Sequence, residues 1–345
     1  MSQIIKPVTM DDIRFMVADH LPEASWTFGG ALRFDNSLRT IISQLEDSFP
    51  LRKPARVAGC PACKWSLDWY TERRPMNLTL FNNTLEEYAA KSVGVVLTFD
   101  NPFITEEMLA DSYANTLVSE LYKRDRVHGN AICVASDVLA AHIRSICPKL
   151  PLLCHPNRLI VERSKRTPAL YNKLLEHYDR VCLHPADASR PAIYTAITTP
   201  KRCDIVINDP LPRNSALRRE HLRLLADIRL DPYNAELSKR RTSLAERDGW
   251  HTIHRDELRQ RASCNLTHEE SSALYAAGYR SFIIQGSQFR NEMTLLWDIF
   301  TCILDYSPTL NNKAALIASA IMASFGAPKN QMPSGLRDFS FTNYE

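Results

Sequence analysis

Short apolar runs alternate with helical segments from about residue 56 onward, and this alternation restricts the chain to few folds. Most runs are nearly continuous in apolar character, which is typical of parallel strands covered on both faces. Strand–helix alternation favours a parallel sheet with right-handed crossovers, and eight units favour closure into a (β/α)8 TIM-like barrel. The eight predicted strands are Arg56–Cys60, Gly94–Phe99, Ala131–Ala135, Pro151–His155, Arg180–His184, Asp204–Asn208, His251–His254 and Ser281–Gln285.

The segments between these runs carry the residues that start and stop helices. Ser136 is a candidate N-cap, and Pro168 falls in a first helical turn, where proline is tolerated. Thr267 precedes Glu270 at the spacing of a capping box, and Gly278 suits a helix C-terminus. Helices are predicted at Thr105–Lys123, Ser136–Ile146, Thr167–His177, Ala188–Ile197, Asn214–Leu225 and Thr267–Ala277.

Three regions are expected along the chain. Residues 1–55 are interpreted as an N-terminal extension with helices near Met10–His20 and Asn36–Glu46, and Gly29-Gly30 as a tight turn. Residues 56–325 form the barrel, with Arg229–Arg247 as an insertion or lid and the helical Arg290–Phe325 outside it. Residues 326–345 are rich in Gly, Pro, Ser and Asn, which indicates a C-terminal tail.

Composition excludes several classes of protein. Hydrophobic residues make up 45% and charged residues 23%, as in an ordinary globular protein, and the net charge of +3 is too small to indicate nucleic-acid binding. The densest basic cluster in the expected lid is only Lys239-Arg240-Arg241. No apolar run is long enough to span a bilayer, and the N-terminus does not resemble a signal peptide. A soluble, cytoplasmic protein without a membrane partner is therefore expected.

The C-terminal ends of the strands should form the working site, because TIM barrels place their sites there. The residues at these ends are polar: Asp100, Asn101, Ser136, Asp137, His155, Asn157, His184, Asp187, Asn208, Asp209, His254, Gln285 and Gly286, with Cys60 and Cys63. The alternative for Ser136, Asp137 and Asp187 is that they cap the helices that follow.

Two histidines end successive predicted strands, and a proline follows each. His155 and His184 are candidates for acid–base catalysis or metal binding, since imidazole titrates near neutral pH. If their strands are adjacent, the two rings can approach each other. Asp209 is the third candidate catalytic group. A structural role for each histidine is the alternative.

Other strand-end residues are candidates for substrate binding. Asn208 and Arg213 offer an amide and a guanidinium to a polar substrate, and Asn101 offers a second amide. Gln285 and Gly286 follow the last strand, where barrels often bind an anion through backbone N–H groups. Arg218 and Arg219 are interpreted as part of a solvated helix face.

Cysteine usage indicates free thiols or metal ligands. The count is nine, an odd number, and disulfides are rare in a reducing compartment. Cys60-Pro-Ala-Cys63 has the spacing of a pair that shares one metal ion or forms a redox couple. A turn with two free thiols is the alternative. Further metal ligands must come from distant cysteines: Cys154, Cys182, Cys203 or Cys264.

Two stretches resemble the U32 peptidase-like family. Leu274–Ser287, which contains Phe282-Ile-Ile-Gln-Gly286, is similar to the segment that closes that family's barrel. Cys203–His221 resembles its block of a valine-rich strand, Asn, a Cys-containing loop, Arg and His. The chain departs from the pattern in two ways: the loop after Asn208 has no cysteine, and Ser287 stands at the family's final Arg.

The resemblance implies a barrel enzyme in a biosynthetic or modification pathway. It would act on a polar small molecule, a modified nucleotide or a peptide by hydroxylation or hydrolysis. Several family members carry a four-cysteine iron–sulfur cluster, so the resemblance implies a cluster or iron as cofactor, with Cys60, Cys63, Cys203 and Cys264 as candidate ligands. The alternative is a non-catalytic barrel subunit that lost the cluster and binds a protein partner or a ligand. The sequence does not indicate the oligomeric state.

Overall fold

The structure is a computed structural model. It describes residues 21–47, 53–67, 75–124, 129–162, 165–209, 211–247 and 265–286, together with 295, 298, 299, 302 and 303. The helix predicted at Met10–His20 and the C-terminal tail lie outside these residues. Among the helices described, none combines the length and the apolar character needed to cross a membrane.

Eight parallel strands form a closed barrel in which each strand pairs with the next along the chain and β8 pairs with β1. This confirms the predicted (β/α)8 architecture. The strands are β1 Ser25–Gly29, β2 Arg56–Gly59, β3 Gly94–Phe99, β4 Ala131–Val134, β5 Leu152–Cys154, β6 Arg180–Cys182, β7 Cys203–Asn208 and β8 Ser281–Ile284.

Helices lie between the strands in the chain. The α-helices are α1 Asp35–Asp47, α2 Leu78–Ala90, α3 Ser112–Tyr122, α4 Asp137–Ile146, α5 Arg158–Val161, α6 Pro168–His177, α7 Pro185–Ala188, α8 Pro191–Tyr194, α9 Arg218–Leu230, α10 Ala235–Arg247 and α11 His268–Ala276. Short 3-10 helices span Glu106–Ala110 and Pro200–Arg202. The segment expected as an insertion or lid contains α10, whose Leu244 packs against Leu224 and Ile228 of α9.

One strand was assigned wrongly from the sequence. The barrel begins at Ser25–Gly29, inside the segment expected to be an extension, and β7 pairs directly with β8. The strand predicted at His251–His254 therefore has no place between them, and that segment lies outside the described residues. In β1, Trp26 and Phe28 face the helices, whereas Thr27 lines the barrel interior, so the strand shows the alternation of period two.

The two faces of the strands carry side chains of different size. Outward-facing residues such as Phe28, Leu97 and Phe99 join one large core with the surrounding helices, and Leu295, Ile299 and Ile303 join the same core. A second cluster contains Ala58, Val96, Ala131, Cys133 and Leu153, which point toward the barrel axis. Bulky side chains commonly fill such interiors. Here the smaller ones leave space inside the barrel.

Helix caps agree with the sequence signals. Ser136 and Thr167 each accept a hydrogen bond from a backbone N–H in the first turn of the helix that follows. Thr267 and Glu270 form the predicted capping box, and Gly278 has φ +97°. Satisfied N–H groups at helix starts stabilise the ends of these short helices, which hold the strand-end loops in place.

Backbone contact closes the barrel at its C-terminal end. A Cβ atom on Gly286 would lie 2.6 Å from the carbonyl carbon of Gly29, and one on Gly29 would lie 2.5 Å from the amide nitrogen of Gly286. Gly30 has φ +89°, a conformation that favours glycine. The loops after β1 and β8 can meet at this distance only because neither carries a side chain there.

Candidate functional site

A cavity of about 140 Å³ lies inside the barrel and extends to the loops at the C-terminal strand ends. We call it the barrel cavity. Its middle is lined by small side chains such as Thr27, Ala58 and Cys133. Charged and polar groups lie at its two ends: Arg56 and Asp204 at the start of their strands, and Arg33, Cys60, Asp100, His155, Asp209, Arg218, Arg229, Gln285 and Gly286 at the mouth.

Two charged side chains form the base of the barrel cavity. Asp204 is buried; its Oδ1 accepts hydrogen bonds from Arg180, whereas its Oδ2 has no hydrogen-bond partner among the described residues. Arg56 lies in the same cavity, and burial lowers the pKa of its guanidinium although Asp204 acts in the opposite direction. The base thus offers an acceptor and a cation to a bound molecule.

His155 follows β5 and lines the barrel cavity. Its Nδ1 accepts a hydrogen bond from the backbone N–H of Asn157 at 3.2 Å. Burial lowers the pKa of the imidazole to about 3, so the ring is neutral at physiological pH. Because Nδ1 is the acceptor, the proton of the neutral ring is on Nε2. His155 is therefore suited to donating a hydrogen bond, and less suited to acting as a general base.

Asp209 and Arg218 form a buried ion pair at the mouth. The Arg218 guanidinium donates to both carboxylate oxygens of Asp209, at 2.8 and 3.2 Å, and also to the carbonyl oxygens of Leu211 and Pro212. The interpretation of Arg218 as a solvated residue was wrong, since only 5% of it is exposed; Arg219 is exposed, as expected. Asp209 lines the cavity but is held by Arg218.

The loop Cys60–Leu67 forms one wall of the mouth. The sulfur atoms of Cys60 and Cys63 lie 3.9 Å apart, and Cys60 lines the barrel cavity. Asp100 accepts a hydrogen bond from the backbone N–H of Leu67 at 2.8 Å, and the Asn101 side chain donates to the carbonyl oxygen of Lys64. The end of β3 therefore fixes the position of this loop.

A second cavity, of about 440 Å³, lies among the loops after β5, β6 and β7. We call it the basic cleft because six cationic side chains line it: Lys165, Arg166, Arg190, Arg213, Arg218 and Arg219. Arg213 belongs to this cleft and not to the barrel cavity, and it donates to both carboxylate oxygens of Glu270 and to Ser189. Arg218 lines both cavities and lies between them.

His184 lines the basic cleft, so the structure places the two candidate histidines in different cavities. Its Nδ1 accepts a hydrogen bond from the backbone N–H of Ala186 at 3.1 Å, and only 3% of the residue is exposed. Burial lowers its pKa well below the ordinary value, and the charges of Arg218 and Arg166 lower it further. The strands that precede the two histidines pair with each other, but the two residues do not line one shared cavity.

Two predicted substrate-binding amides have structural roles. Asn208 accepts a hydrogen bond from the Gln285 backbone N–H at 2.6 Å and donates to the Gln285 carbonyl oxygen and to Asp298. Asn101 is fully buried, and its side-chain oxygen accepts from the Phe103 backbone N–H. Neither residue lines the barrel cavity, whereas Gln285 and Gly286 do.

The helix-capping alternative suits Ser136, whose hydroxyl accepts from the Leu139 N–H. The two aspartates make ion pairs instead: Asp137 pairs with Arg158, and the buried Asp187 accepts from Arg166, Arg190 and Tyr171. His254 lies outside the described residues. Ser136, Asp137 and Asp187 therefore all make contacts within the protein.

The cysteines proposed as metal ligands do not come together. Cys203 is the first residue of β7, whereas Cys60 and Cys63 follow the end of β2, so they lie at opposite ends of a parallel barrel. Burial raises the pKa of the Cys203 thiol to about 12, which disfavours the thiolate that a metal needs. Cys264 lies outside the described residues. In the part of the chain that the structure describes, no three His, Cys, Asp or Glu side chains are grouped as metal ligands. The donor set therefore does not fit a four-cysteine iron–sulfur cluster.

Sequence reasoning missed Arg56 and Asp204, because it considered only the C-terminal strand ends. Both residues were visible as charges at the start of otherwise apolar runs, as was Arg180. A charge at an inward-facing strand position requires a partner, since burial of an unpaired charge is costly. That requirement was the signal that could have identified the base of the cavity.

Comparisons with known proteins give one structural similarity. No protein-family model matches the chain, and no curated protein matches it. A solved structure of a U32 peptidase aligns with a TM-score of 0.46 and 12% sequence identity, over 76% of this chain and 92% of that chain. The chain is thus distantly similar in structure to a U32 peptidase, and the barrel assignment itself rests on the strand pairing described above.

Proposed function

We propose that the chain is an enzyme that acts on a polar small molecule bound in the barrel cavity. The observation that carries this proposal is the buried Oδ2 atom of Asp204, which has no hydrogen-bond partner among the described residues and belongs to a residue that lines the same cavity as Arg56. An unsatisfied buried acceptor costs about 1–3 kcal/mol, so a ligand that donates a hydrogen bond to it binds favourably. Such a buried pair of polar groups is typical of a small-molecule site.

The chemistry of the base indicates which part of a substrate binds there. Asp204 accepts from an N–H group, and Arg56 donates to an oxygen, so adjacent N–H and C=O groups satisfy both. Amides and the lactam edges of nucleobases carry this arrangement. The middle of the cavity, with Val96 and Leu153, contacts an apolar part of the substrate.

Hydrolysis is the reaction that the described side chains support best. The neutral His155 can donate its Nε2–H to a substrate carbonyl oxygen and stabilise the negative charge that develops there when water adds to the carbonyl carbon, while solvent at the mouth takes the proton that this water loses. Asp209 and Arg218 position the mouth loop and neutralise each other. Asp209 therefore has a positioning role in this proposal, and Gln285 and Gly286 contact the bound molecule near the mouth.

Two steps test the proposal on the full-length protein. Amides, nucleobases, nucleosides and dipeptides are first screened for an increase in melting temperature, and each hit is then incubated with protein and analysed by mass spectrometry for products. A hit should no longer raise the melting temperature of Arg56→Gln or of Asp204→Asn. It should still raise that of Arg219→Gln, in which the substituted residue is exposed. His155→Gln should bind the hit but turn it over ~100-fold more slowly, the loss typical of one oxyanion donor.

The second candidate function is a non-catalytic barrel that binds a ligand or a protein partner. The separation of Cys203 from Cys60 and Cys63 favours it, because the family-type ligand set is not assembled. Binding of a hit that depends on Arg56, together with no product in prolonged incubation, supports this candidate against the enzyme. Hits that bind equally to the wild type and to both base variants contradict the proposed site.

A further inference from the structure

We propose that Cys60 and Cys63 form a reversible dithiol–disulfide pair that exchanges with disulfides reaching the mouth of the barrel cavity. The exchange partner is a low-molecular-weight disulfide of the glutathione type. This activity is separate from the substrate site at the base and does not depend on it.

The two sulfur atoms are placed for bond formation. They lie 3.9 Å apart, within one short loop, and both cysteines are free. A disulfide needs a sulfur–sulfur distance of about 2.05 Å, so the two sulfur atoms must approach each other further for the bond to form. The Lys64 N–H donates to Asp111 and the Trp65 indole donates to the Met108 carbonyl oxygen, which hold the intervening backbone.

The surroundings of the pair make Cys63 the more acidic of the two thiols. Burial alone raises the pKa of Cys63, but hydrogen bonds from Cys60, from the Trp65 backbone N–H and from Ser66 outweigh burial, and the pKa falls below its ordinary value. Burial and the contact with Cys63 raise the pKa of Cys60 well above its ordinary value. Cys63 therefore loses its proton more readily than Cys60 and is the better leaving group in exchange.

Access determines which sulfur meets the external disulfide. Cys60 is half-buried and lines the cavity, whereas only 7% of Cys63 is exposed. Once Cys63 has lost its proton, its thiolate takes the proton of Cys60, and the Cys60 thiolate attacks the external disulfide. A mixed disulfide on Cys60 forms, and one external thiolate leaves.

The released thiolate takes the proton of Cys63. The Cys63 thiolate then attacks the Cys60 sulfur and expels the second external thiolate, which completes the Cys60–Cys63 disulfide. The pair loses two electrons and the external disulfide gains them, so the exchange needs no further oxidant.

The remaining cysteines of the barrel provide an internal comparison. Cys133, Cys154 and Cys182 are buried inside the fold, and burial raises the pKa of each thiol. Thiols held in this state react slowly with disulfides. Faster reaction at the pair than at Cys133, Cys154 and Cys182 is therefore expected, because Cys60 is less buried than these three and lies 3.9 Å from a second thiol.

The experiment treats the native full-length protein with oxidised glutathione, blocks free thiols with N-ethylmaleimide and maps the products by mass spectrometry. An intramolecular Cys60–Cys63 disulfide should form in the wild type and in Cys147→Ser, and dithiothreitol should reverse it. Cys63→Ser should accumulate a mixed disulfide on Cys60, at least ~10-fold faster than Cys60→Ser accumulates one on the buried Cys63.

Three results would overturn the proposal. The first is a wild-type protein whose Cys60 and Cys63 remain reduced in excess oxidised glutathione. The second is an equal rate of glutathionylation in the two single variants. The third is stoichiometric zinc uptake that is lost in both variants, which assigns the pair to a metal. Ligand binding that depends on Arg56 is measured separately, so failure of one proposal leaves the other testable.

Discussion

His155 and His184 share the same local structure but lie in different surroundings. Each follows one of two paired strands, each precedes a proline, and each accepts a backbone N–H from the residue two positions later on Nδ1. Yet His155 faces the small side chains of the barrel cavity, and His184 faces the arginines of the basic cleft. The sequence around a histidine thus sets its tautomer, while distant residues set its environment.

The residue that lies between the two cavities is Arg218. Its guanidinium is held by Asp209 and by two backbone carbonyl oxygens, so it stays in place between the cavities. Burial is the main cause of the lowered pKa of both histidines, and only for His184 do the charges of Arg218 and Arg166 lower the pKa further. The comparison teaches that two histidines with the same local hydrogen bond can differ in the charges that surround them.

The largest expected effect comes from breaking the ion pair of Asp209 and Arg218. Arg218→Met leaves the buried Asp209 carboxylate without its cation, and removal of one partner of a buried pair typically costs about 3–5 kcal/mol. Urea unfolding followed by circular dichroism measures the loss. The adjacent Arg219→Met, at an exposed position, is the matched control and should change the unfolding free energy by less than ~0.5 kcal/mol.

The double variant Asp209→Leu/Arg218→Met sharpens the same test. It removes both charges, so its loss should be smaller than that of Arg218→Met alone. A single variant as stable as the wild type would mean that Arg218 does not separate the cavities.

The next effect is a dependence of stability on pH. Burial lowers the pKa of both histidines, so below the ordinary value of about 6.5 the unfolded chain binds more protons than the folded chain. The free energy of unfolding therefore falls as pH falls. For His155, whose folded pKa is about 3, the loss between pH 7 and pH 5 amounts to ~2 kcal/mol.

Urea unfolding of His155→Gln and His184→Gln at pH 7 and pH 5 measures these contributions. Each variant should lose less stability on acidification than the wild type does. The exposed His177 lies in the last turn of α6 and provides a control, His177→Gln, that should follow the wild type. If His155→Gln loses as much unfolding free energy between pH 7 and pH 5 as the wild type does, the His155 ring of the wild type is protonated in the folded chain.

The smallest expected effect concerns Ser136, which is a candidate site residue because it follows the C-terminal end of a strand. Its hydroxyl caps α4, so Ser136→Ala should cost about 1 kcal/mol of unfolding free energy. Ligand binding in the barrel cavity should not change, because Ser136 does not line that cavity. Thermal unfolding with and without a ligand separates the capping role from a binding role. If the ligand no longer raises the melting temperature of Ser136→Ala, Ser136 takes part in ligand binding.

Most of the barrel was predictable because its strands are short apolar runs. Gly94–Phe99 was predicted with the bounds that the structure has, since six consecutive apolar or β-branched residues leave little choice. Ser25–Gly29 was missed because its alternating pattern is short and ends at the glycines that were interpreted only as a turn. Pairing with Ser281–Ile284, not local sequence, makes it a strand.

The location of the candidate site was predictable from the sequence, but only some of the residues that line it were. His155, Gln285 and Gly286 line the barrel cavity as expected, because the direction of a parallel strand fixes where its end lies. Asn208 and Arg213 do not, because hydrogen bonds with Gln285 and Glu270 hold them elsewhere. Such partners are distant in the sequence, so no local pattern indicates them.

The contact between the loops of β1 and β8 has a consequence for synthesis of the protein. Ser25 pairs with Ser281, so β1 cannot pair with β8 until nearly the whole barrel has left the ribosome. During that time β1 presents an unpaired strand edge, which is a site for wrong pairing with other chains. The same strand carries Trp26 and Phe28, two large apolar side chains that are buried in the folded barrel. We expect the nascent chain to need protection of this strand until Gly286 is free to meet Gly29.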